Sequence, residues 1–308
     1  MKVDDSINFE AEILRLKKEL DAVILAHYYQ DSEIQDVADF IGDSLELAKR
    51  AREADAKYLI FCGVKFMAES AAVLNPDKKV IIPDIHAGCS LESSCPPDKF
   101  KEFISKFPDH AVVTYINSSV AVKALSDYIV TSSNAHKIIE SIPESTPIIF
   151  GPDKHLGNYL SKKTGRKMVL WPGTCMVHEN FSERELIQLK TQYPAARIIA
   201  HPECPEELLY YAEHVGSTSS MLTYTKNFNG SEFIVLTEPG IIHQMRKFAP
   251  DSKFYDVPSM GEAGCVKCSD CPFMKLNTLE KLYLSMKNKG PEIVVDPILS
   301  KQALIPLS

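Results

Sequence analysis

The chain has 308 residues, 45% of them hydrophobic and 24% charged, with 34 Lys and Arg against 41 Asp and Glu. That composition suits an ordinary globular protein long enough for two or three compact domains. The acidic balance argues against a nucleic-acid or anionic-membrane partner, since both reward clustered Lys and Arg. No basic segment followed by an apolar one opens the chain, and no apolar run approaches the length of a membrane span. The expectation is therefore a cytoplasmic chain, in which the eight cysteines are more often ligands, nucleophiles or core residues than disulfides.

Residues 9–20 place Ile13, Leu16 and Leu20 at helical spacing among charges, which predicts a short amphipathic helix serving as a lid or docking element. The run AVILAHYY reads as a strand, and Ser32 with Gln35 has capping-box spacing ahead of a helix through Phe40. A helix from Ser44, the strand YLIFCG, a helix ending at Asn75-Pro76 and the strand VIIPD follow. The alternation then recurs as AVVTYINSS, IVTSSNA, PIIFGPDK and KMVLWPG, and again as ARIIAHPEC, HVGSTSSM, FIVLTEPG and KFYDVPS, with helices between. This is the pattern of parallel α/β sheets. From about residue 276 onward a closing helix and an arm lie outside it.

The landmarks keep register. His27, Tyr115 and His201 end the first strands at separations of 88 and 86, and Ser44, Ser132 and Thr218 open the second helices at the same separations. Gly63 and Gly151 follow the middle strands 88 apart, with Thr237 to Pro239 in the third position. Cys89 and Cys175, 86 apart, follow the last strands, and a C-x-x-C-x-x-C run of Cys265, Cys268 and Cys271 holds the third place. The fold expected is α/β, three homologous αβα-sandwich domains in pseudo-three-fold arrangement around a central site. Their expected bounds are 1–107, 108–193 and 194–308, the last including the closing helix and tail.

Ligands of open parallel sheets bind beyond the carboxyl ends of the strands, where each repeat carries its polar landmarks. The pairs His27 with Tyr29, Tyr115 with Asn117, and His201 with Glu203 stand at i and i+2, which in extended geometry shares one face. Ser44, Ser132 and Thr218 read as helix N-caps, or as hydroxyls converging with helix N-termini on a phosphate or carboxylate. Taken alone, the cysteine run fits a metal, an iron–sulfur cluster or a local disulfide. One cysteine per repeat would hold a cubane cluster by three irons and leave the fourth open as a Lewis acid for dehydration or condensation.

The segments HYYQDSEIQDVADFIGDSLELA, GVKFMAESA, AGCSLESSCP, YINSS, VTSSNA, GPDKHLG, GTCMVH, HPEC, GSTSSM and CVKCSDCPFM resemble the quinolinate synthase family from about residue 20 to residue 308. The resemblance implies condensation of iminoaspartate with dihydroxyacetone phosphate to quinolinate, with loss of phosphate and two waters, in de novo NAD biosynthesis. It implies a [4Fe–4S] cluster on Cys89, Cys175 and Cys271, the last chosen because the final cysteine of such a run matches the family's ligand. It also implies that His27, Ser44, Tyr115, Asn117, Ser132, His201, Glu203 and Thr218 bind the two substrates. The expected catalytic set is Tyr29, His201 and Glu203, with Tyr29 and Glu203 moving protons. His178 is expected as a substrate contact or as structural support. Contact with the oxidase or dehydrogenase that makes iminoaspartate is a further implied partnership.

Some family members carry one cysteine where this chain has three, so Cys265 and Cys268 read as spare thiols or a redox-responsive pair. Cys62, Cys95 and Cys204 match no ligand position. Lys65 and Lys154 either neutralise substrate charge or are solvated. Two other readings stay open: an aconitase-like hydratase, opposed by the one-cysteine-per-repeat register, and a zinc or cluster regulator in which the last run acts alone. The latter leaves Cys89, Cys175 and the strand-end pairs without a role. Neither G-x-G-x-x-G nor G-x-x-x-x-G-K-[ST] occurs, so nucleotide binding has little support.

Overall fold

The computed structural model describes residues 7–260, 266–267 and 269–307. It contains three four-stranded parallel sheets of one topology. The first comprises β1 (Ala22–His27), β2 (Phe40–Gly42), β3 (Tyr58–Cys62) and β4 (Lys79–Ile81), in the order β2-β1-β3-β4. The second, from β5 (Ala111–Tyr115), β6 (Tyr128–Val130), β7 (Ile148–Gly151) and β8 (Met168–Leu170), has the order β6-β5-β7-β8. The third, from β9 (Arg197–Ala200), β10 (His214–Val215), β11 (Glu232–Leu236) and β12 (Lys253–Asp256), repeats it as β10-β9-β11-β12. The central strands AVILAH, YLIFC, AVVTY, IIFG, RIIA and EFIVL are almost wholly buried. Such near-continuous apolar runs are what a parallel sheet needs when helices cover both faces.

Register is conserved between the outer repeats, where Ala26 pairs with Cys62 and Ala200 with Leu236. In the second repeat Thr114 pairs with Gly151, one residue beyond the position the sequence spacing assigns. The middle-strand landmark is therefore offset there, although the strand-end residues keep their places.

Three local expectations are corrected. Phe40 lies in β2, because the preceding helix, Ser32–Val37, stops after six residues. Gln35 does not close a capping box; its amide donates to the carbonyls of Gln30 and Gly240 and so ties the first repeat to the third. The helix Phe9–Leu20 is no lid. It buries Ile13, Leu16 and Leu20 against Ile24 of β1 and against Leu282, Tyr283 and Met286 of the closing helix Leu279–Asn288. The arm beyond that helix is ordered. Glu292 bridges Ile81 at the edge of β4, and the helix Pro297–Leu307 seats Ala303 against Val73 and Val120, across the first two repeats. Among the described residues no helix is long and apolar enough to cross a membrane.

Candidate active site

One cavity lies at the carboxyl ends of all three sheets, and every residue expected at the site lines it. The first repeat contributes His27, Tyr29, Ser44 and Cys89; the second Tyr115, Asn117, Ser132, Cys175 and His178; the third His201, Glu203, Thr218 and Cys271.

The strand-end pairs are not brought together by extended geometry. β1 ends at His27 and β9 at Ala200, and the chain then turns back, with Gln30 N donating to His27 O and Cys204 N to His201 O. The turn lets Tyr29 N donate to His27 Nδ1 at 3.1 Å and Glu203 N to His201 Nδ1 at 3.4 Å. A ring nitrogen that accepts carries no proton, so both imidazoles are fixed as Nε2–H tautomers. Burial pushes His27 down to about 4 and His201 to about 3. Both rings are therefore neutral donors at physiological pH.

Glu203 is almost fully buried. Burial pushes its pKa up, but His201 and His178, with hydrogen bonds from His178 and Tyr115, outweigh that and hold the carboxylate below its usual range. Its Oε2 lies 3.0 Å from His178 Nδ1, whose Nε2 is 3.0 Å from Thr237 Oγ1, which in turn is 2.7 Å from the Tyr29 hydroxyl. An ionised carboxylate only accepts, so the proton of this contact sits on Nδ1. With a neutral ring, the chain Tyr29, Thr237, His178, Glu203 can donate in one direction from end to end. Burial raises both Tyr29 and Tyr115 well above the ordinary phenol value, keeping them protonated donors.

The cavity hydroxyls sit beside the helix caps rather than on them. Asp43 caps Ser44–Glu53 by accepting Glu46 N at 2.9 Å, and Ser217 caps Thr218–Asn227 by accepting Ser220 N at 3.3 Å. Ser132 opens no helix; it lies in the turn Thr131–Asn134, and the helix begins at Ala135. Capping by the preceding residue leaves the Ser44 and Thr218 hydroxyls to the cavity.

Cys89, Cys175 and Cys271 are half-buried, whereas Cys62, Cys95 and Cys204 are buried in cores away from the cavity. Burial pushes up the thiols of Cys89 and Cys175; Cys271 pushes Cys89 further, and Glu203, Cys89 and Cys271 push Cys175 further. Thiols held protonated by burial and by neighbouring negative groups fit a cationic centre, since coordination is what removes their protons. Met176 N donates to Ser90 Oγ at 3.1 Å, joining the segments that follow Cys89 and Cys175. Cys175, His178 and Glu203 also place a sulfur, an imidazole nitrogen and a carboxylate oxygen within 4.8 Å of one another, a set able to hold a metal ion. Cys265 and Cys268 lie outside the described residues.

Lys65 and Lys154 do not line the cavity; they pair with Glu69 at 3.6 Å and Glu179 at 3.3 Å. Sequence reasoning missed three acidic or hydroxyl groups. Asp43 and Glu238 line the cavity, and Thr237 lies fully buried against Tyr29 and His178. Burial pushes Glu238 up to about 7. Its carboxylate accepts from Gly240 N at 2.7 Å and from Lys275 at 3.2 Å, and Lys275 also donates to Tyr29 O at 3.1 Å. The Thr237-Glu238 step stands in register with Gly63-Val64, and that polar departure at a repeated position was the available signal.

A model of the family described as quinolinate synthetase A protein matches residues 11–308. A protein of Ehrlichia chaffeensis named quinolinate synthase is 57% identical over 303 residues, 98% of this chain and 96% of the relative. Proteins of that name from Gloeothece citriformis and Nostoc punctiforme are each 56% identical, over 95% and 96% of this chain and 90% and 91% of their own lengths.

Proposed function

The chain belongs to the quinolinate synthase family, enzymes of NAD biosynthesis, and from that premise we propose that it condenses iminoaspartate with dihydroxyacetone phosphate, releasing phosphate and two waters. The observation that carries the reading is the convergence of three cysteines, one from each repeat, on a cavity already lined by the strand-end pairs and the three hydroxyls. Cys89, Cys175 and Cys271 would hold a [4Fe–4S] cluster. When bound, such a cluster supplies a Lewis-acid iron suited to dehydration.

The chain's own residues do the rest. Ser44, Ser132 and Thr218, with the N-termini of Ser44–Glu53 and Thr218–Asn227, hold the substrates' phosphate or carboxylate groups. His27 and His201 offer neutral N–H donors to carbonyl or imine groups without adding positive charge. Tyr115 and Asn117 orient the bound pair. Glu203 takes a proton from the bound pair and Tyr29 gives one to it; the proton on Glu203 then passes back through His178 and Thr237 to Tyr29 as the hydrogen bonds reverse, so that both proton-transfer residues belong to one hydrogen-bonded series. The setting proposed is the cytoplasm, where thiols stay reduced, and the oxidase or dehydrogenase that makes iminoaspartate is the proposed protein contact.

The test is iron, acid-labile sulfide and zinc analysis of anaerobically purified protein, wild type and Cys89→Ser, with assays of quinolinate formation. About four iron and four sulfide per chain, lost in Cys89→Ser together with activity, is the expected result. A single zinc that survives Cys89→Ser but not His178→Ala would instead assign a mononuclear site to Cys175, His178 and Glu203.

A further inference from the structure

We propose that Asp43 is the positioning residue of the three-hydroxyl cradle. A single carboxylate oxygen ties the three repeats together at the backbone next to Ser44, Ser132 and Thr218. The proposal rests on the reading that this cradle holds a phosphate or carboxylate group of the substrates.

The repeat register exposes the device. Positions 43, 131 and 217 are equivalent and carry Asp, Thr and Ser; positions 45, 133 and 219 are equivalent and carry Leu, Ser and Ser. At the first set, Asp43 and Ser217 perform the same local task, each accepting the N–H three residues on. A hydroxyl is enough for that. A carboxylate has a second oxygen, and Asp43 Oδ2 accepts from Ser133 Oγ at 3.1 Å and from Ser219 Oγ at 2.8 Å. These donors belong to the second and third repeats. Asp43 precedes Ser44, Ser133 follows Ser132, and Ser219 follows Thr218, so the tie reaches within one residue of each cradle hydroxyl.

Buried and bound on both oxygens, the carboxylate is held by charge-assisted bonds, the stronger class of hydrogen bond. Its three named donors also draw charge away from the cavity, which lets an acid stand beside an anion site. Leu at position 45 completes the argument. One carboxylate oxygen accepts from two hydroxyl donors across a pseudo-three-fold junction, and the equivalent position in the repeat that supplies the acceptor carries Leu rather than Ser. The sequence at this junction is thus asymmetric although the three sheets share one topology.

Capping and tying are separable by substitution. Asp43→Ser copies the cap of the third repeat and removes the tie. Asp43→Asn can keep the cap while placing a donor where an acceptor is required. The double variant Ser133→Ala/Ser219→Ala leaves Asp43 and its cap untouched. Each is compared with the parent enzyme for kcat, for KM of each substrate separately, and for iron content. Expected is a rise of about tenfold or more in KM for the substrate whose anion occupies the cradle, with kcat and iron changing far less. All three variants should move the same KM, and the choice between triose phosphate and dicarboxylate identifies the anion. Unchanged KM values in Asp43→Ser and in the double serine variant, while Ser44→Ala and Thr218→Val raise KM, would overturn the tie and leave the cradle. Unchanged KM values in Ser44→Ala, Ser132→Ala and Thr218→Val would overturn the cradle reading and the proposal with it. If Asp43 variants lose iron or fail to fold, the double serine variant decides alone.

Discussion

Thr237→Val removes one hydroxyl at nearly constant volume from a fully buried position. That hydroxyl is bonded at 2.7 Å to Tyr29 and at 3.0 Å to His178 Nε2, so both lose a partner. A buried polar group left unsatisfied costs about 1–3 kcal/mol. Both groups adjoin the cavity, where water can replace part of the loss, so the expected destabilisation is toward the lower end, about 2 kcal/mol in all. The effect on turnover should be larger. If the hydroxyl carries protons between Tyr29 and His178, its loss removes a general acid–base step worth about 100-fold or more. The assay is quinolinate formation by anaerobically prepared protein matched for iron content, with thermal unfolding measured alongside. Thr237→Ser restores the hydroxyl without the methyl group and should recover most of the rate. Turnover of Thr237→Val near that of the parent, with only the melting temperature lowered, would refute the relay and leave Thr237 as packing.

Glu203→Gln keeps the shape of the side chain but cannot accept as a carboxylate from His178 and Tyr115; turnover should fall about 100-fold or more while iron content holds, and near-parent turnover removes Glu203 from the chemistry. His27→Gln tests the buried neutral ring through pH. The folded-state value of about 4 lies below the unfolded 6.5, so its penalty is absent above 6.5 and grows as the pH falls toward 4. Between pH 8 and pH 5 the parent should lose about 2 kcal/mol relative to the variant, measured as the difference between their unfolding free energies; a constant difference would show that His27 is not held neutral. Glu238→Gln weakens the hold on Lys275, which also anchors Tyr29 O, and should lower iron retention under chelator challenge more than it lowers the melting temperature. Equal retention would confine Glu238 to local support.

The legible part of this molecule was what repeats. Cores of parallel sheets must be apolar on both faces, so IIFG and FIVL announce themselves, and a polar landmark kept at 88- and 86-residue spacing marks a shared place in three copies of one fold. His27, Tyr115 and His201, and the hydroxyls at 44, 132 and 218, were found that way and line one cavity. What was not legible depended on contacts between repeats. Gln35 has capping-box spacing, but its amide bonds Gly240 in the third repeat, and local periodicity contains nothing of that partner. The Phe9–Leu20 helix has the amphipathic pattern of any surface helix. Only the position of Leu282, Tyr283 and Met286 makes it a cover for the first sheet rather than for the site.

The departures from repetition carry the chemistry. Three identical repeats would give a cavity with three equal donors, suited to a symmetric ion, whereas the two different substrates proposed for it would have to be distinguished within it. The same strand-end places hold His, Tyr and His, and two residues on hold Tyr, Asn and Glu. The backbone thus supplies position three times while the side chains supply a neutral donor, a phenol and a carboxylate. Thr237-Glu238 against Gly63-Val64 follows the same rule, and so does Asp43 against Thr131 and Ser217. In each case the polar exception in the register makes a bond into another repeat: Thr237 to Tyr29, Asp43 to Ser133 and Ser219. Symmetry therefore builds the chamber, and its breaking fixes how the three walls stand to one another. A substitution that restores symmetry at these positions should cost function more than it costs the individual sheets.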